Sequence, residues 1–207
     1  DGIMFTVGPY YLRASARLAG PLPERVSVEG QQIVISAQEG DTTPLATLAT
    51  MEAHARQQGN AVETAISFRG FQIGAQIAPD FAPLDGRALV LVEGGVTMAA
   101  EGRLDPYGQS AKIREFVVGV AGQNAEISLS GPISIDEDGR IDAQLRIGFS
   151  NPRTVMEYLA QVFPDAREEI MTAASALSSL GDTPVVLNIR KGRVFLGFIP
   201  IGTIPPV

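Results

Sequence analysis

The sequence predicts an α+β fold: a long, twisted antiparallel β-sheet with amphipathic helices packed on one face. Three observations carry this expectation. Apolar residues recur at every second position over most of the chain, as in strands with one buried face. Two stretches instead place apolar residues three and four apart behind a proline start signal. The parity of the alternation also changes at a glycine, the mark of a bulge or bend.

The first strand is read from Tyr10, with Tyr10, Leu12, Ala14, Ala16 and Leu18 apolar and Arg13, Ser15 and Arg17 polar. Val26, Val28, Ile33 and Ile35 give two short strands around Gly30 or one bulged strand. Thr43-Pro44 reads as an N-cap and first helical residue. Leu45, Leu48, Met51 and Ala55 then mark one helix face and Gly59 the stop. Val62, Thr64, Ile66 and Phe68 alternate on even numbers. Beyond Gly70 the apolar set moves to Phe71, Ile73, Ala75 and Ile77. Residues 88–92 and 96–104 read as strands around Gly94-Gly95, and 112–120 as another.

The clearest hairpin follows. Ile127, Leu129, Ile133 and Ile135 lead to Asp136-Glu137-Asp138-Gly139, and Ile141, Ala143, Leu145, Ile147 and Phe149 return. Asn151-Pro152 then repeats the helix start, with Val155, Leu159, Val162 and Phe163 forming a stripe up to Pro164. Ala166, Ile170, Ala173, Leu177 and Leu180 continue the stripe to Gly181, so 152–180 is expected as two segments meeting at Phe163-Pro164. Strands over 185–191 and 193–199 finish the fold. Pro200, Pro205 and Pro206 lack the ladder N–H, so the last strand should end near Ile199. The apolar tail after it should be docked, because an exposed run this apolar would be a sticky patch. The reading is one domain over 1–207, with halves 1–80 and 87–207 sharing the sheet.

Composition bounds the chemistry. The chain has 207 residues, 45% hydrophobic and 19% charged, which is the balance of a globular protein. A net charge of −7 offers no basic footprint for nucleic acid or an anionic membrane surface. There is no cysteine, which excludes disulfides, thiolate metal sites and cysteine nucleophiles. No apolar run approaches the ~20 residues that cross a bilayer. The start at Asp1 is compatible with a removed N-terminal signal or anchor.

No motif selects a catalytic, metal or cofactor site. Asp136-Glu137-Asp138-Gly139 resembles the opening of a calcium loop, but loop position twelve is Ile147 and both flanks are strands. His54 is the only histidine and is read as a solvated helix residue, so any triad would depend on it alone. Asp165, Glu168 and Glu169 fit a helix start rather than acid–base work. The glycines lack the lysine and strand-to-helix context of a phosphate loop. The stripe Val155, Leu159, Phe163, Ile170 and Leu177 is read as core that doubles as the candidate ligand-facing surface, since a helix on a curved sheet can open a lipid-sized slot.

Residues 127–207 carry a family resemblance. The hairpin 127–149, the helix start Asn151-Pro152, the small-residue helix 173–180 and the ending from Arg193 to Gly202 occur in the order of an alphaproteobacterial envelope family, domain of unknown function 2125. The ending resembles that family's Gly-x-hydrophobic-x-Leu-Gly-Pro-Ile-Pro-Leu-Gly tail, with Phe198 where proline is common. Residues 22–30 and the segment after them resemble its middle region. On this resemblance the chain corresponds to the C-terminal two-thirds of a member. The resemblance implies a periplasmic location with an N-terminal inner-membrane anchor in the full-length protein. It also implies a likeness to AsmA-like envelope proteins, which build long β-grooves for lipids. The expected function is therefore non-catalytic, without cofactor: a curved sheet that holds or passes an acyl chain. The alternative is a structural or protein-interaction module of the envelope with a sealed core. Expected partners are lipid or another envelope protein, not nucleic acid.

Overall fold

The computed structural model describes residues 6–18, 20, 22–37, 43–103, 105–168, 170–172, 184–196 and 198–207. Its framework is one sheet of eleven strands in sequence order, every neighbouring pair antiparallel. The strands are β1 (Thr6–Leu18), β2 (Pro23–Ser36), β3 (Ala46–Gln58), β4 (Ala61–Ile73), β5 (Leu84–Val92), β6 (Gln109–Val120), β7 (Glu126–Ile135), β8 (Ile141–Ser150), β9 (Val185–Arg190), β10 (Arg193–Leu196) and β11 (Ile199–Thr203). The helical elements are α1 (Gly95–Ala100), α2 (Pro152–Val162) and a 3-10 turn Pro164–Ala166, after which the described residues 167, 168 and 170–172 are again helical.

The α+β expectation is thereby overturned. The chain is mostly β, about 60% strand against 14% helix, and short helices replace the expected helical layer. The largest single error is the helix read from Thr43-Pro44, because that stretch is β3. Ala, Leu, Met, Glu, Gln and Arg favour helices locally, but β3 pairs along its length with both β2 and β4. That two-sided pairing overrides propensity. Met51, Ala53 and Ala55 are half-buried while Glu52, His54 and Arg56 are exposed, a period of two. The strand read over 96–104 is wrong in the opposite sense, since 95–100 is helical behind the left-handed Gly94.

Other elements match their sequence signals. The hairpin closes with Ile135 opposite Ile141. Asp136 accepts hydrogen bonds from the N–H groups of Asp138 (3.0 Å) and Arg140 (2.8 Å), which is turn chemistry. The helix from Pro152 breaks at Phe163 (φ −121°, ψ 72°), immediately before Pro164. Residues 173–183, including Leu177 and Leu180, lie outside the described residues.

The parity change at Gly70 belongs to a line that crosses four strands. Tyr10, Gln32, Ala49 and Gly70 are all skipped in the β1–β2, β2–β3 and β3–β4 ladders, where they fall opposite one another, and Leu48 and Phe71 beside them are skipped between β3 and β4. Gln32 has φ 47° and Gly70 φ 61°. Each irregularity flips the alternation, so Val26 and Val28 before the line share a face with Ile33 and Ile35 beyond it. Val62, Ile66 and Phe68 likewise share a face with Phe71 and Ile73. The shift of parity keeps the apolar set on one side of the sheet.

The chain's end differs from the expected stop near Ile199. It turns and adds β11, with Pro200 on the outermost strand, where a missing N–H disturbs no further ladder. Beyond β11, Ile204 donates to the Gly192 carbonyl (2.7 Å) and Val207 to that of Gly139 (3.1 Å). Tyr107 Oη donates to the Val207 carbonyl (2.9 Å). The tail's backbone is docked, but its apolar side chains are not covered as expected: Phe198 is fully exposed, and Ile199, Ile201, Ile204 and Val207 are exposed as well.

Candidate functional site

The apolar face is continuous. One register row runs Ala14, Val28, Ala53, Ile66, Ala88, Phe116, Leu129, Ile147 and Val185, each directly opposite the next across nine strands. No polar side chain interrupts it. Both helices lie on this side. A Cβ on Gly95 of α1 would come within 3.0 Å of Val62. α2 packs on β7 and β8, and its Tyr158 ends an edge-to-face aromatic run through Phe81, Phe71 and Phe68, with centroids 5.8, 6.0 and 6.2 Å apart. Tyr158 Oη donates to the Ala82 carbonyl (3.1 Å), and burial pushes this hydroxyl above its ordinary pKa. Between the helices the face is partly open, with Ile66 41% and Phe116 38% exposed, and beyond α1, on edge strand β1, Leu12 is 58% exposed. The chain as a whole exposes 13326 Å², against about 9,000 Å² for a compact monomer of this mass.

The structure divides the five candidate residues of the helix stripe. Val155 is buried, together with Met156 and Ala160, which the sequence reading did not select. Leu159 and Ile170 are half-buried and Phe163 is exposed, at the break before Pro164. Leu177 lies outside the described residues.

The opposite face is polar and holds side-chain constellations that the sequence did not reveal. Glu63, 6% exposed, sits between two arginines from other strands. Arg56 Nε donates to its Oε1 (2.6 Å), while Arg114 Nη1 and Gln58 Nε2 donate to its Oε2, the latter at 3.3 Å. Arg114 is the extra residue of a β6 bulge, skipped between Ile113 and Glu115 in the pairing with β5. A bulge re-aims a side chain, and here it carries a guanidinium across to β4.

Beside this cluster, His54 Nδ1 lies 2.9 Å from Ser27 Oγ on the neighbouring strand, and His54 Nε2 lies 3.7 Å from Glu52. The order resembles a nucleophile, base and carboxylate. However, 3.7 Å is too long for a hydrogen bond, the groups are open to solvent, and the adjacent strand N–H groups are engaged in ladders on both sides of β3. An oxyanion has no free backbone donors there. Ser27 and His54 line a recess of about 380 Å³ with Arg25, Arg56 and Glu63. α2 contributes no residue to it.

Among the described residues no three acidic or histidine side chains gather as metal ligands, and no helix is long and apolar enough to cross a membrane. Elsewhere among the described residues, the hydrogen bond between Arg103 and Asp105 holds the exposed Asp105 carboxyl below its usual value and raises the Arg103 guanidinium above its own.

Neither a curated protein nor a solved structure matches the chain. Residues 5–205 match the family described as an uncharacterised protein conserved in bacteria, domain of unknown function 2125, and the chain belongs to that family. The match covers nearly the whole chain, not only the C-terminal portion that the tail and hairpin had indicated.

Proposed function

We propose that the protein is a non-catalytic periplasmic envelope component whose apolar sheet face holds or passes a lipid acyl chain. The observation that carries this reading is the register row from Ala14 to Val185, apolar at each of its nine positions. Nine strands at the usual spacing span about 38 Å, against about 15 Å for the hydrocarbon of one leaflet. The partly open Leu12, Ile66 and Phe116 leave part of that track accessible. The loosely arranged Ser27, His54 and Glu52, the last two exposed, favour a binding role over hydrolysis. The periplasmic setting and the inner-membrane anchor of the full-length protein draw on the family resemblance, and a compartment-reporting fusion tests them.

Native mass spectrometry of protein purified from cells, followed by solvent extraction, should find bound lipid. Delipidated protein should take up a fluorescent fatty acid. Ile66→Asp should abolish uptake, whereas Ser67→Asp, one residue along on the polar face, should not. Absence of both bound lipid and uptake sinks the proposal.

A second reading draws on α2. Val155, Met156 and Ala160 are packed shut, as in a structural or interaction module with a sealed core. It expects no uptake, equal indifference to Ile66→Asp and Ser67→Asp in the uptake assay, and a protein partner retained through purification.

A further inference from the structure

Three arginines stand side by side on the polar face. Arg17 of β1 is directly opposite Arg25 of β2, and Arg25 is directly opposite Arg56 of β3. Directly opposed side chains start about 5 Å apart, and like charges in such pairs repel. Arg56 is compensated by Glu63. Arg17 and Arg25 make no ion pair or side-chain hydrogen bond among the described residues. Glu24 lines the neighbouring recess of about 200 Å³ with Arg17, Arg25 and Arg56 but pairs with none of them. The chain's net charge of −7 conceals this local concentration.

The recess next to the row adds a hydroxyl and an imidazole. Arg25 and Arg56 share it with the Ser27 hydroxyl, the His54 imidazole and the Glu63 carboxylate, whose charge Arg56 and Arg114 already pair. Guanidinium forks match the oxygens of a phosphate group two at a time, and they do so better than a compact ammonium would. A tetrahedral oxyanion can use several such donors at once, whereas a single carboxylate occupies one fork. An anion here would also offset the repulsion along the row.

We propose that this end of the polar face, Arg17, Arg25 and Arg56 with Ser27 and His54, binds a phosphate-bearing anion. The group is either a soluble phosphate compound or the phosphate of a lipid headgroup. The site lies on the opposite face from the acyl track and does not depend on that reading.

The test uses the full chain and two probes. One is inorganic phosphate, titrated by calorimetry and by its effect on thermal unfolding. The other is flotation with phosphatidylcholine vesicles, with and without phosphatidic acid. The wild type should bind at least one probe, more weakly as salt rises. The Arg17→Gln/Arg25→Gln double variant should bind about tenfold more weakly. Arg193→Gln, a cation outside the row, should bind as the wild type does. Binding of inorganic phosphate supports a soluble ligand, and binding only to phosphatidic acid vesicles supports a headgroup. In phosphate-free buffer Arg25→Gln should melt at the same temperature as the wild type or higher, because a repulsion is removed. Phosphate should raise the wild-type melting temperature and not that of the double variant if the soluble source is correct. The proposal is overturned if neither probe binds, if the double variant binds like the wild type, or if Arg25→Gln lowers the melting temperature in phosphate-free buffer.

Discussion

The two faces of this sheet are built by opposite rules from the same strands. On the apolar face, side chains opposite one another are all apolar, and small and large residues alternate along the first part of the row: Ala53 beside Ile66, Ala88 beside Phe116. On the polar face, charged side chains reach across strands, as Arg56 and Arg114 reach Glu63, and like charges also stand opposite one another, as Arg17, Arg25 and Arg56 do. The first arrangement needs only matched register. The second needs particular side chains to be aimed, which is why a bulge appears at Arg114. A sheet with helices over only parts of one face thus divides its work: apolar contacts hold the strands in register, and charged groups give the other face its specificity.

The largest test of that division moves a charge to the wrong side. Leu145 is 6% exposed on the apolar face, and its neighbour Gln144 is exposed on the polar face. Leu145→Asp should cost about 4 kcal/mol or more, since an unpaired carboxylate replaces a buried aliphatic group. Gln144→Asp should stay within about 0.5 kcal/mol. Urea unfolding measures both. Equal effects would show that the two faces are not energetically distinct.

A smaller effect is expected within the polar face. Glu63→Gln keeps the shape but removes the charge shared by two arginines, each still partly open to water. The loss should be about 1–2 kcal/mol. Glu115, which pairs with Arg87 at 2.9 Å while both are about half exposed, offers the contrast. Glu115→Gln should change stability by less than about 0.5 kcal/mol. If the two variants lose the same amount, burial of Glu63 adds nothing to its pairing.

Much of the apolar face was legible because alternation needs only one strand at a time. Residues 10–18, 62–73 and the 127–149 hairpin each carry their own period of two. Gly70 announced its bulge, and Pro164 announced the break in the helix. β3 was not legible. Leu48, Met51 and Ala55 satisfy a helical spacing, Met51, Ala53 and Ala55 satisfy a strand, and only pairing with β2 and β4 decides between them. The polar constellations were illegible for a related reason. Residues 17, 25 and 56, or 27 and 54, become neighbours only through inter-strand register. No local spacing signals that register when intervening segments differ in length.

The finest distinction concerns how the apolar face survives the line of irregularities from Tyr10 to Gly70. Gly70 takes φ 61° and faces Ala49, whose Cβ would lie 3.0 Å from a Cβ added at position 70. Gly59, in the two-residue β3–β4 turn, takes nearly the same φ, 62°, with nothing within 4 Å. Alanine at either site pays for the left-handed backbone, about 1 kcal/mol. Gly70→Ala must also displace Ala49 in the adjoining strand. It should therefore lose a few tenths of a kcal/mol more than Gly59→Ala, within a total of about 1–2 kcal/mol. Amide exchange adds a spatial readout. Gly70→Ala should weaken protection in β3 and β4 on both sides of the line, while Gly59→Ala should affect only the turn. Equal losses with no spread into β3 would mean that the crossing tolerates a side chain, and that φ alone, not the close approach to Ala49, selects glycine there.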